Sequence, residues 1–120
     1  MKAVLVATLL LITPLASHAA CSATDFAVEG FKMTTVGSGA AMHLSLTGKL
    51  VNHCATPAAA QVRVDAKSAS GAVLATKQGW PAGTTNIAPG QEVSFDLGRL
   101  IRYQPEMQTY SASVSDIRTW

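Results

Sequence analysis

An alternation constrains this chain more than any other feature. Between residues 41 and 52, Met42, Leu44, Leu46 and Leu50 share one parity, with Gly48 between them. His43, Ser45, Thr47 and Lys49 take the other. A period of two belongs to a strand with one buried face and one wet face, because successive side chains leave a strand on opposite sides. The same rule sends Val62, Val64 and Ala66 inward against Gln61, Arg63, Asp65 and Lys67. It sends Val93, Phe95 and Leu97 inward against Glu92, Ser94 and Asp96, and sets Tyr110, Ala112 and Val114 against Ser111, Ser113 and Ser115. An opening strand over about 26–35 carries Phe26 and Val28, then Phe31 and Met33, and changes parity across Gly30. That change predicts a bulge.

Turn signals separate these runs. Gly37-Ser38-Gly39 ends the opening strand, and Ser68-Ala69-Ser70-Gly71 parts 61–67 from a weaker strand around 72–78. Pro81-Ala82-Gly83 and Ala88-Pro89-Gly90 flank a short segment at Thr84–Ile87. Helical spacing is missing, apart from room for a single turn at Leu100–Tyr103. The pattern predicts an all-β chain: one antiparallel, immunoglobulin-like β-sandwich of six to seven strands.

The first segment reads as an export signal. Met1-Lys2 precedes the apolar run Ala3–Ile12, Thr13-Pro14 interrupts it, and small residues follow to Ala20. These are the three parts that a signal peptidase requires. The run falls short of the roughly 20 apolar residues of a membrane-spanning helix. Cutting after Ala19 keeps Ser17 and Ala19 at the small-residue positions, giving a leader over 1–19 and a sandwich domain over 20–120. The mature protein is then periplasmic or secreted.

In that compartment the two cysteines, Cys21 and Cys54, are expected to form a disulfide. Lipidation of Cys21 is the rival, but His18 stands where lipoprotein processing favours leucine, and Cys54 would be left a lone thiol. Of nine Lys and Arg residues, Lys2 goes with the leader, leaving eight against seven acids and a net charge of about +1. The cations are scattered, which argues against nucleic-acid binding.

Candidate chemistries fail on spacing. His53 and Cys54 are neighbours on a strand and point to opposite faces, so His53 is poorly placed to deprotonate the thiol. His43 and His53 lie ten positions apart, roughly 30 Å along one strand. Met33, Met42 and His43 could suggest a copper site, yet Met42 points inward and His43 outward. Val36-Gly37-Ser38-Gly39 is a broken nucleophile elbow with no helix after it. Asp25, Glu29, Asp65, Glu92 and Asp96 sit at outward or turn positions, where solvation is expected. No phosphate loop, zinc signature or dinucleotide fingerprint occurs, so neither a catalytic residue nor a cofactor is assigned.

The segments Leu46-Thr47-Gly48-Lys49-Leu50-Val51-Asn52, Val62-Arg63-Val64, Gly71-Ala72-Val73-Leu74 and Ile87-Ala88-Pro89-Gly90-Gln91, followed by Val93-Ser94-Phe95, occur in that order. Over about 41–114 the chain resembles the FxLYD family of bacterial immunoglobulin-like modules in exported and cell-surface proteins. The family's naming motif falls on Val64-Asp65-Ala66-Lys67-Ser68, where none of its residues is in place. The resemblance implies a sandwich and an extracytoplasmic setting, and carries over no catalytic residue.

The expected function is therefore non-enzymatic recognition of a protein or envelope component. The candidate surface combines Trp80 and Pro81 with Leu100, Ile101, Tyr103 and Met107 of the segment GRLIRYQPEMQ. A loop that caps the core is the competing account of that segment. Two alternatives of other classes are an envelope copper or zinc protein using His43 or His53, and an inhibitor or immunity-type protein that plugs a secreted enzyme.

Overall fold

A computed structural model of the protein describes residues 21–120. The expected leader and its cleavage point lie outside the described residues. Six strands form: β1 (Phe26–Val36), β2 (His43–Asn52), β3 (Ala59–Lys67), β4 (Val73–Gly79), β5 (Glu92–Asp96) and β6 (Thr109–Arg118). They make two antiparallel three-stranded sheets, ordered β1-β2-β5 and β4-β3-β6. The chain forms a hairpin in each sheet, crosses back for β5 and returns for β6. The expected all-β sandwich is the fold observed.

The central strands carry the core. On β2, Leu44, Leu46 and Leu50 are fully buried, and on β3 so are Val62, Val64 and Ala66. Phe95, Leu97 and Ile87 close around them. Apart from Ile87, these are residues that the alternation sends inward, while Met42 and Val93, sent inward by the same rule, are only half-buried. Val51, on the outward parity of β2, is also buried.

Both long edge strands carry an irregularity. Glu29 pairs with Lys49 and Lys32 with Thr47, so Gly30 and Phe31 together face the single residue Gly48. Gly30 takes φ 61°, a left-handed conformation that side-chain-bearing residues rarely adopt. This is the bulge predicted from the parity switch. A second bulge was not foreseen: Gln61 pairs with Asp116 but Val62 with Val114, leaving Ser115 unpaired. The extra residue turns Ile117 inward in place of Asp116.

Two expected local elements differ. Thr84–Ile87 forms no strand, because Ile87 makes only an isolated bridge to Ala58 while Trp80–Thr85 is taken up by turns. The helical turn expected at Leu100–Tyr103 lies at Gly98–Leu100 instead. Its position is set by Asp96, whose carboxylate accepts the Gly98 N–H at 2.9 Å.

Candidate functional site

The two ends of β2 are built differently. At the C-terminal end Cys21 and Cys54 are joined, with sulfurs 2.02 Å apart and Cα atoms 5.8 Å apart. Beside them Asn52 is completely buried. Its side-chain N–H groups donate to the Ile87 carbonyl at 2.7 Å and the Thr56 carbonyl at 3.1 Å, and its oxygen accepts the Cys54 N–H at 2.7 Å. Its backbone pairs with Gln91 and Gly90 across the turn Ala88-Pro89-Gly90-Gln91. One amide thus ties together both loops at this end, and burial makes each of its bonds costly to lose. His53 faces outward as expected, with Nε2 4.0 Å from Glu29 in a mostly exposed pair.

At the other end lies an open groove of about 570 Å³, lined by Met42, His43 and the run Gly98–Tyr103. Gly98 is required there: an added Cβ would collide with the Leu44 carbonyl oxygen, so the turn sits directly on β2. Asp96 fixes the turn from the other side. Its carboxylate accepts hydrogen bonds from the Ser45 hydroxyl at 3.0 Å, the Leu46 N–H at 3.0 Å and the Gly98 N–H. Partial desolvation pushes the Asp96 carboxyl up. The Gly98, Leu46 and Ser45 donors, helped by nearby Arg99, outweigh that and hold it below the usual value. A side chain expected to be merely solvated is the clamp on the groove wall.

On that clamped turn, Arg99 and Arg102 are exposed beside His43. Among the described residues neither arginine makes an ion pair. Leu100 is 44% exposed, and Tyr103 is half-buried against the core. The groove offers cations above an apolar floor.

The expected interaction surface is therefore divided. Leu100 and Tyr103 line the groove. Ile101 also borders the groove, but it and Met107 are only 4% and 6% exposed and complete the core, so that part of the connection acts as a cap. Trp80 belongs to a separate cluster. Its ring meets Trp120 edge-on at 6.0 Å, and the Arg118 guanidinium stands 5.7 Å and 4.7 Å from the two rings. Asn86 holds Trp120 in place by accepting its N–H and donating to its carbonyl. Pro81, next to Trp80, is half-buried in the turn. Gly79, the neighbour of Trp80, packs closely against the groove-side leucines: a Cβ there would lie 2.8 Å from Leu97 and 3.7 Å from Leu100.

Sequence reasoning missed Met42, His43, Arg99 and Arg102 as members of one site. The only available signal was the pair of arginines flanking Leu100-Ile101, and it lacked the strand start that completes the groove. His43 and His53 stand at opposite ends of β2. Among the described residues, no three His, Cys, Asp or Glu side chains gather as a metal cluster. No described helix is long and apolar enough to cross a membrane. Compared with family models, curated proteins and solved structures, the chain matches none.

Proposed function

We propose that this protein is an exported, non-enzymatic recognition module that binds another envelope protein through the groove of His43, Arg99, Leu100, Arg102 and Tyr103. The observation that carries the reading is a clamped wall bearing an exposed leucine and two arginines that make no ion pair among the described residues. Arginine and tyrosine over an apolar floor are the residue types that dominate binding energy at interfaces. The unpaired cations favour an acidic segment of the partner, which they would steer and orient.

The export setting rests on the leader-like first segment together with the disulfide, which persists in oxidising compartments. The FxLYD-like pattern fits the same reading, since that family consists of extracytoplasmic sandwich modules.

The test is capture from envelope extracts by wild type, by the Arg99→Glu/Arg102→Glu variant and by Arg63→Glu, an outward residue of β3. A bound protein should be retained by wild type and by Arg63→Glu, and lost from the groove variant. Indistinguishable profiles from all three would sink the proposal.

A further inference from the structure

The edge of β6 differs from the other strand edges. β1 is interrupted by the Gly30 bulge and carries Lys32 just beyond it. β5 is only five residues long. β4 places Lys77 opposite the inward Val64, so a charge sits on the inner side of that edge. Bulges, short length and inward lysines are devices that stop an edge from accepting another strand. The stretch Thr109–Val114, TYSASV, lies before the bulge at Ser115 and contains no charge, proline or glycine. β6 bonds only to β3, and no backbone bond from another element reaches this stretch among the described residues.

Its inner side is also incompletely covered. Tyr110, Ala112 and Val114 pair with Ala66, Val64 and Val62. The β3 partners are fully buried, whereas the three β6 residues are half-buried. The Tyr110 hydroxyl is itself buried without a hydrogen-bond partner. β1 and the turn Ala23–Asp25 approach β6 from the facing sheet.

We infer that this edge is a homodimer surface, on which β6 of a second copy pairs antiparallel about a two-fold axis through Ala112. The sequence is self-complementary in that register. Tyr110 meets Val114 of the second copy and Ser111 meets Ser113, all of them before the Ser115 bulge. An aromatic opposite a β-branched residue is a favourable cross-strand pair, and no like charges oppose each other. The two outer sheets become one six-stranded sheet, and the contact is isologous, so it closes at two copies.

Light scattering after gel filtration of the mature chain, over a concentration series, tests this inference. A two-chain species is expected. Ser111→Lys/Ser113→Lys sets lysines opposite lysines and should weaken the dimer by about tenfold or more. Ser111→Lys/Ser113→Glu sets lysine opposite glutamate and should retain it. Circular dichroism and thermal melts of both variants at dilution would show that each monomer still folds. A chain that stays monomeric at every concentration, including one that pairs only with a strand of another protein, would overturn the inference. So would a dimer that both variants break, or that neither affects.

Discussion

The two ends of β2 solve opposite problems with similar materials. At the Asn52 end, a buried amide has every polar group paired and a disulfide fastens the chain that precedes β1. At the His43 end a solvent-facing clamp, Asp96, accepts three hydrogen bonds, yet the arginines it positions make no ion pair among the described residues and face water. The first end spends its polar groups on holding itself together. The second holds its backbone rigid and leaves side chains free, which is the arrangement that preorganised binding requires. Polar satisfaction alone therefore does not mark function; where it stops does.

This contrast can be broken at the stapled end first. Replacing Cys21 and Cys54 by serine opens a tie between residues 33 apart, and on the chain-entropy model should cost on the order of 3–4 kcal/mol. Urea unfolding monitored by tryptophan fluorescence would measure the loss. Asn52→Ala strands the Cys54 N–H and two carbonyls in the interior, and should cost about 2–4 kcal/mol. A loss below about 1 kcal/mol would mean that the amide is not the hub described.

At the groove end Asp96→Asn should cost about 1–2 kcal/mol at neutral pH, since a charged acceptor of three hydrogen bonds becomes a neutral one. Because the folded carboxyl is held below its unfolded value, its contribution is complete above about pH 4. It is lost as pH falls through the lowered folded value. Wild type and variant should therefore converge in strongly acidic solution. Unfolding curves from pH 7 to pH 2 that stay parallel would contradict this. The smallest stability change is expected from Arg99→Glu/Arg102→Glu, within about 0.5 kcal/mol of wild type, because both side chains are exposed without an ion pair and Arg99 is the weakest of the influences on Asp96.

Much of the fold was legible because β2 and β3 are half-buried strands with an almost unbroken period of two. The Gly30 bulge was legible for the same reason: a glycine coincided with a parity change. The Ser115 bulge had no such marker, since serine sits on both sides of it. Ile101 and Met107 could be read as surface or as a cap, because an irregular connection has no periodicity to say which way its apolar residues face; their burial decides for the cap. The groove was illegible as a unit. Met42 and His43 are more than fifty residues from Arg99, and only the β2–β5 register brings the two segments together. The Cys21–Cys54 bond needed no geometry, only the count of cysteines and the compartment.

Photo-crosslinking in exporting cells tests the central claim most directly, with the reactive residue placed at Leu100 in the groove or at Ala55 beside the disulfide. The account expects a crosslinked partner from Leu100, abolished by Arg99→Glu/Arg102→Glu, and none from Ala55. A partner captured from Ala55 alone, or equally from both positions, would contradict it.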